Sequence, residues 1–227
     1  YPRGKTLGGS SAINGLLYIR GQSRDYDVWR QLGNTGWGWD DVLPYFIKAE
    51  NQERGKNEFH GTGGPLSVSD QRIQLPLLNE FQNAAEEFGI PKTKDFNTGD
   101  NNGCGYFQVT EKDGFRCSTA VGYLNPIKKR GNLKIITNAH VKKINFQNKI
   151  AKEVEYWQDN EVKKLVVNRE IILSSGSIGS PQILQTSGIG NANKLNNLGI
   201  EVVQELKGVG ENLQDHLMFR PIYKVHG

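Results

Sequence analysis

The sequence predicts a mixed α/β fold in which helices and strands share one chain. Segments with helical periodicity begin at polar capping residues near Ser23 and Asp40. Residues 133–173 instead contain strand-like runs separated by short turns, which is typical of an antiparallel meander that leads back into a buried strand. A chain of 227 residues with 36% hydrophobic residues can form about one or two domains with a core.

Helices are predicted over residues 23–33, 40–48, 76–89 and 118–129. Pro44 is expected within the first turn of the second helix, where its missing N–H is tolerated. The third helix is the clearest, because Leu78, Phe81, Ala85 and Phe88 recur at spacings of three and four residues. This apolar stripe predicts a face that packs on the core.

Between these helices the sequence predicts a loop and two short strands. The polar, glycine-rich stretch from Glu53 to Gly64 predicts a long exposed loop, and residues 65–69 alternate like a strand. Tyr106, Phe107 and Gln108 begin another strand-like run.

Strand-like runs dominate the second half of the chain. They cover residues 133–137, 141–146, 151–158, 162–167 and 170–173. The last run is followed by Ser175, Gly176 and a predicted helix start at Ser180–Pro181, which together make a strand–turn–helix unit. The positive end of the helix dipole suits a phosphate or a ribose, although a packing turn without a ligand has the same pattern.

A glycine-rich run lies near the start of the chain, from Arg3 to Gly15. Gly8 and Gly9 have no Cβ, so their backbone can approach a bound molecule closely. Ser10 and Asn14 add side chains that can form hydrogen bonds to it. The run therefore predicts a binding loop.

These motifs resemble the glucose-methanol-choline (GMC) family of FAD-dependent oxidoreductases, and its choline dehydrogenase-like members in particular. The first run continues as Asn14–Gly21, the second family signature is matched by Gly176–Gly190, and a further family-like string covers Gly208–His216. The similarity spans nearly the whole chain in the family's order, and three long motifs together are far more specific than any one of them.

The resemblance implies a domain organisation. It assigns residues 1–35 and 131–215 to a partial FAD-binding, Rossmann-like domain. Residues 36–130, which include a lid segment near 53–64, and residues 216–227 belong to a partial antiparallel-sheet substrate domain that is interleaved with it. The resemblance places the strand that contains Tyr106, Phe107 and Gln108 in this sheet, so these three residues are candidates for lining a pocket beside the flavin. The chain is therefore expected to be an internal piece of a longer protein.

The resemblance also implies which residues contact FAD. The expected cofactor-binding residues are Thr6, Leu7, Gly8, Gly9, Ser10, Asn14, Gly15, Leu16, Leu17, Val141, Ser175 and Gly176. Some family members attach the flavin covalently through a histidine just before the motif asparagine. Here that residue is Ile13, so we expect FAD to be bound without a covalent link.

No catalytic residue is expected within this chain. The family's catalytic histidine pair, or histidine with asparagine, lies near the C-terminus of a full-length member and has no counterpart here. His60, His140 and His226 are expected to be ordinary histidines. His216 adjoins Asp215, but neighbouring residues on a strand point to opposite sides.

The implied function is oxidation of the CH–OH group of a choline-like or other primary alcohol to the aldehyde, by hydride transfer to flavin. Two alternatives stay open. One is a non-catalytic, truncated remnant that serves as a binding module, and the other is a dehydrogenase or oxidase of the same family for a sugar, a polyol or an aromatic alcohol. The sequence does not define the electron acceptor, either oxygen or a quinone-type carrier.

The string Gly208–Val209–Gly210 follows a strand-like run and resembles the start of a dinucleotide fingerprint. Leu213 stands where the third glycine is needed, and Glu211 would place a negative charge against a pyrophosphate. We therefore interpret the string as a structural turn and not as a nicotinamide site.

Composition argues against several other classes. The net charge of +4 comes from lysines and arginines scattered among acidic residues, so nucleic-acid binding is not expected. The 2 cysteines and 4 histidines form no ligand spacing for a metal, and no apolar stretch is long enough to span a bilayer. We expect a cytoplasmic protein, with membrane association as the alternative, and reduced cysteines.

Overall fold

The computed structural model describes residues 1–224 and divides the chain into an N-terminal unit, Tyr1–Lys134, and a C-terminal unit that begins at Ile135. The helices are α1 (Ser23–Gln31), α2 (Trp39–Ala49), α3 (Pro76–Glu87), α4 (Gly176–Thr186) and α5 (Ala192–Asn197). The strands are β1 (Leu17–Tyr18), β2 (Glu50–Gln52), β3 (Leu66–Val68), β4 (Gln108–Val109), β5 (Glu111–Lys112), β6 (Phe115–Arg116), β7 (His140–Gln147), β8 (Ile150–Gln158), β9 (Glu161–Val166), β10 (Ile189–Gly190) and β11 (Gln204–Glu205).

The predicted mixed α/β class is confirmed, with strands that pair in small sheets. In the N-terminal unit β1 pairs with β4 and β5 with β6, both antiparallel, while β2 and β3 are parallel. The C-terminal unit contains the antiparallel meander β7–β8–β9 and the parallel pair β10–β11. The domain assignment drawn from the resemblance stays a prediction.

The first two predicted helices are present, and acidic side chains cap both of them. Asp25 accepts a hydrogen bond from the N–H of Gln22 (2.8 Å), and Asp41 accepts one from Gly38 (2.9 Å). Helix α2 begins at Trp39, so Pro44 lies beyond the first turn and the prediction for it was wrong. The proline is tolerated because the carbonyl that loses its donor belongs to the exposed Asp40, where water can replace the bond.

Helix α3 has the predicted position, with Pro76 as its first residue, but not the predicted packing. Phe81 is 54% exposed and Phe88 86% exposed. The spacing of three and four identified one apolar face of the helix correctly. Such spacing does not determine what covers that face, and in residues 1–224 the stripe remains largely open.

The predicted helix over residues 118–129 is a single π-helical turn, Ala120–Leu124, followed by turns. The N–H of Asn125 bonds to the carbonyl of Ala120 at 2.8 Å, which is the wide i→i+5 pattern. Pro126 follows directly and has no N–H to donate, so a regular helix does not continue through it.

The meander confirms three of the predicted strands. Asn148–Lys149 and Asp159–Asn160 both adopt left-handed backbone angles, as two-residue hairpin turns require. The runs at 133–137 and 170–173 form no strand within residues 1–224, and Ile172 is 79% exposed. A strand needs a neighbour to pair with, and no described segment pairs with these runs.

Helix α4 packs on β7 to form the core of the C-terminal unit, with Ile144 and Ile183 buried. The helix begins at Gly176, before the predicted start at Ser180–Pro181, and so Pro181 lies inside it. The expected strand over residues 216–227 is absent from the described residues 216–224, and residues 225–227, which include His226, lie outside the described part.

Candidate functional site

The glycine-rich run folds into a tight left-handed turn that enters a 3₁₀ helix at Gly9–Ala12. Gly8 has φ +90° and Gly9 has φ +52°, and the N–H of Gly9 bonds to the carbonyl of Thr6 at 2.9 Å. A side chain at Gly8 would be strained in this conformation. The pair of glycines is therefore a requirement of the turn itself.

One side of this run is fixed by the segment that follows β6. A Cβ added at Gly8 would lie 3.2 Å from the Cβ of Ala120. Thr119 donates its N–H to Ser11 Oγ at 3.0 Å and its hydroxyl to the carbonyl of Gly8 at 3.2 Å. These bonds hold the backbone of the run at a definite position.

The other side of the run is open. A Cβ added at Gly9 or Gly15 would meet no atom within 4 Å. Most of the predicted contact residues in this segment are exposed, and Leu7 and Leu17 are 48% and 51% exposed. The run thus combines a fixed backbone with an open face, which is what a binding loop needs.

Asn14 and Leu16 complete the run with an unusual geometry. Leu16 has φ +68°, a left-handed conformation that a non-glycine residue rarely adopts. Asn14 Oδ1 accepts hydrogen bonds from the N–H of Leu16 (3.2 Å) and from Nη1 of Arg116 (2.6 Å). Arg116 is a residue that the sequence analysis missed, because it lies 102 positions away and belongs to no glycine-rich motif.

The remaining predicted cofactor residues belong to the C-terminal unit. Val141 lies on β7 next to a register shift of the ladder, and with Trp157 and Ile183 it lines a cleft of about 150 Å³. Ser175 precedes α4, whose first residue Gly176 has φ +80°. The helix therefore begins directly at the predicted contact, with its first-turn amides beside it.

A second polar cluster of the N-terminal unit is buried. It consists of Arg20, Glu50, His60 and Asp95, and we call it the buried charge cluster. Arg20 forms an ion pair with Glu50 (Nη2 to Oε2, 2.9 Å). His60 bonds through Nδ1 to Glu50 (2.7 Å) and through Nε2 to Asp95 (2.8 Å). Glu50 is 0% and His60 2% exposed, so solvent hardly screens their charges, while the Asp95 side chain at the edge of the cluster is 22% exposed.

The cluster shifts the pKa values of Glu50, His60 and Asp95. Burial opposes the charge on His60, but the hydrogen bonds to Asp95 and Glu50 dominate and raise its pKa to about 9. Burial also opposes the charge on both carboxylates, yet the pKa of Glu50 is lowered by His60 and Arg20, and that of Asp95 by His60. The cluster therefore holds two cations against two anions at neutral pH.

This cluster corrects the prediction for the loop at 53–64. The tip of the loop is exposed, but His60 and Gly61 near its end are buried. A Cβ added at Gly61 would lie 2.0 Å from the carbonyl oxygen of Ile47. The histidine is thus an anchor and not part of a mobile surface loop. Both of its ring nitrogens donate to carboxylates, so it has no lone pair with which to act as a base.

The three candidate pocket residues separate in the structure. Tyr106 and Phe107 line a cleft of about 180 Å³, where the Tyr106 hydroxyl lies 2.9 Å from Asn79 Oδ1. Gln108 is buried and its side chain bonds to Gln52 and Asp70. Its hydrogen-bonding groups are directed to these protein partners.

The turn at Gly208–Gly210 is held by protein groups. Gln185 donates to the carbonyl of Val209 at 3.1 Å, and Gly210 has φ +81°. Lys194 forms an ion pair with Glu211. These contacts agree with its interpretation as a structural turn.

Two further kinds of group could carry chemistry, namely cysteine thiols and potential metal ligands. Cys104 and Cys117 are free thiols, and Cys117 is buried. Within residues 1–224 no group of three or more His, Cys, Asp and Glu side chains could hold a metal ion. No helix in that described part is long and apolar enough to cross a bilayer.

The fold is that of known flavin-dependent oxidoreductases. An FAD-dependent oxidoreductase from Chaetomium thermophilum superposes with a TM-score of 0.88 at 35% identity, over 94% of this chain and 39% of that one. The match to the GMC oxidoreductase family covers residues 1–218, so this chain belongs to that family. The resemblance predicted from the three motifs is confirmed.

Curated relatives agree with this assignment. Mitochondrial choline dehydrogenase of Mus musculus is 45% identical over 217 residues, which cover 96% of this chain and 36% of the relative. Alcohol dehydrogenase [acceptor] of Pseudomonas putida is 44% identical over 220 residues, 96% of this chain and 40% of the relative. The chain thus spans about two fifths of the length of the curated relatives it matches.

Proposed function

We propose that the protein is an FAD-dependent oxidoreductase that oxidises the CH–OH group of a choline-like or other primary alcohol to the aldehyde. One observation carries the proposal: the glycine-rich run has a fixed backbone and an open face, where Gly9 and Gly15 leave space that any Cβ would fill. A flat ring system can approach the backbone closely at such a face. The family membership supports FAD as the molecule that does so.

The chemical types of the predicted contact residues suit FAD. In the N-terminal unit Thr6, Ser10 and Asn14 carry polar side chains on an exposed segment, while Leu7 and Leu17 offer apolar surface. In the C-terminal unit Val141 lies on the edge strand β7 and lines a cleft with Trp157 and Ile183, which suits the adenine end. Ser175 and Gly176, at the start of α4, suit a phosphate or a ribose.

Bound FAD would supply the acceptor for the hydride. The role of this chain is then to hold the ring against the run and to stabilise the negative charge of the reduced state with hydrogen-bond donors. His60 does not take the hydroxyl proton, because both ring nitrogens are bonded to carboxylates. No described residue is proposed as the base, in keeping with the expectation from the resemblance.

We infer that the flavin is dissociable. Ile13 occupies the position of the linking histidine in covalent family members, and an alkyl side chain forms no bond to a flavin. Denaturation in acid should release all of the FAD into the supernatant. Yellow colour that stays with the precipitated polypeptide would contradict this inference.

The identity of the alcohol that donates the hydride is the least determined part of the proposal. Relatives named for choline and for other alcohols are nearly equally similar, at 45% and 44% identity. A primary alcohol other than choline is therefore a second candidate. An aromatic alcohol, a sugar or a polyol would keep the same flavin chemistry with a different pocket.

This chain alone is expected to be inactive, because the family's catalytic histidines lie outside it, so the deciding experiment uses the purified full-length protein under anaerobic conditions. We expect flavin absorbance that is bleached by choline or by a simple primary alcohol, with one aldehyde formed per flavin reduced. A panel with choline, primary aliphatic alcohols, benzyl alcohol and glucose identifies the donor class. Protein that stays colourless after incubation with FAD would favour the non-catalytic remnant, and flavin that no alcohol bleaches would refute the proposed reaction.

A further inference from the structure

We propose that Arg116 is a positioning residue for the flavin: it fixes the side-chain amide of Asn14 so that the Nδ2 group donates to an acceptor atom on the isoalloxazine rim. The inference rests on the proposed function and adds to it a residue that no glycine-rich motif contains. It also assigns one hydrogen-bonding direction to Asn14.

The orientation of the Asn14 amide follows from its partners. The N–H of Leu16 and the Nη1 of Arg116 both approach the same atom, at 3.2 Å and 2.6 Å. Both partners can only donate, so the atom between them is an acceptor and must be the carbonyl oxygen. The NH₂ group is then on the opposite branch of the planar amide.

This NH₂ group is available to a ligand. Asn14 is exposed, and no acceptor within residues 1–224 receives a hydrogen bond from its Nδ2. The neighbouring Gly15 has open space where a Cβ would be, so the backbone does not block the approach of a ring. Flavin nitrogens and carbonyl oxygens are acceptors that such a donor can reach.

Arg116 is suited to hold the amide in place. It lies on β6, which is paired with β5, and its Nη1 also donates to the carbonyl of Ser11 at 3.2 Å. The guanidinium is always protonated and therefore cannot accept, which excludes the flipped amide. Its charge also polarises Asn14, and this strengthens the donor at the other end of the amide.

Four single variants of the flavin-loaded protein test the proposal. Asn14→Asp keeps an oxygen facing Arg116 but replaces the donor by an acceptor. Arg116→Met removes the positioning group. Arg116→Lys keeps the positive charge but lacks the planar guanidinium with its fixed N–H donors. Arg30→Met is the matched control, because it makes the same change at an exposed arginine that pairs with Asp27 and not with the run.

We measure the dissociation constant of FAD with the stripped protein and the midpoint potential of the bound flavin, with circular dichroism to confirm folding. Asn14→Asp should weaken FAD binding by about tenfold and lower the potential, since one hydrogen bond is lost and a negative charge faces the ring. Arg116→Met should shift both quantities in the same direction, and Arg116→Lys should recover part of the potential. Arg30→Met should leave the potential unchanged.

The outcomes separate the two proposals. A wild-type protein that takes up no FAD overturns both the proposed function and this inference. If the wild type binds FAD and Asn14→Asp has the same affinity and potential, only the donor role of Asn14 fails. If Arg116→Met shifts the potential no more than Arg30→Met does, the positioning role of Arg116 is refuted.

Discussion

The glycine-rich run and the buried charge cluster both belong to the N-terminal unit, and they use polar groups in opposite ways. In the cluster, charged side chains pair with one another away from water, as the ion pair between Arg20 and Glu50 illustrates. In the run, the backbone is fixed on one side only, and the space beside Gly9 and Gly15 is open. The shifted pKa values of the buried charge cluster therefore belong to groups that stabilise the fold, whereas the candidate binding site is the exposed backbone of the glycine-rich run.

This difference bears on how sites are recognised. A histidine between two carboxylates resembles catalytic machinery, and a pKa raised to about 9 would draw attention to His60. Because His60 is buried and both of its ring nitrogens donate to carboxylates, it is instead an anchor of the loop that contains it.

The largest expected effect comes from Glu50→Gln. The change keeps the shape of the side chain but leaves the Arg20 and His60 cations without their shared anion, so we expect the free energy of unfolding to fall by about 3–5 kcal/mol. Urea denaturation measures it. The exposed pair of Asp27 and Arg30 is the control: Arg30→Gln should cost no more than about 1 kcal/mol. Equal losses for the two variants would contradict a special role for burial.

The next effect is a pH dependence of stability. The pKa of His60 rises from its ordinary value of 6.5 to about 9 on folding, so the folded state binds the proton more tightly. The resulting stabilisation, about 3 kcal/mol, is complete below pH 6.5 and is lost as the pH rises through 9.

Urea denaturation between these two pH values measures this loss. The variant His60→Gln should have a flatter profile over the same interval, because it lacks the titrating group. A wild-type stability that stays constant from pH 6.5 to 9 would show that the proton on His60 is not linked to folding.

The smallest effects distinguish two kinds of glycine. Gly61→Ala places a Cβ against the Ile47 carbonyl and should destabilise the protein by about 1–3 kcal/mol. Gly15→Ala meets no atom and should change stability by less than about 0.5 kcal/mol, yet weaken FAD binding by about tenfold. Gly131→Ala, also in open space, is the control that should change neither quantity. Unchanged FAD affinity in Gly15→Ala would remove Gly15 from the candidate site.

Much of the local structure could be predicted because it depends on residues close in sequence. The hairpin turn at Asp159–Asn160 uses two residue types that tolerate left-handed angles. The start of α1 at Ser23 was predicted from its polar residues, and the helix ends at Gln31, two residues before the predicted end. The runs at 133–137 and 170–173 failed for the complementary reason, since strand propensity becomes a strand only beside a partner.

The sequence by itself determined the family, the mixed α/β class and the glycine-rich run, because motifs and backbone preferences are written in consecutive residues. Only the tertiary structure decided that His60 is a buried anchor, that the apolar stripe of α3 lies open, and that Arg116 contacts Asn14. These features depend on pairs such as Asn14 and Arg116, which are 102 positions apart. Hydrogen bonding and burial at such separations arise from the folded path of the chain, which no local pattern records.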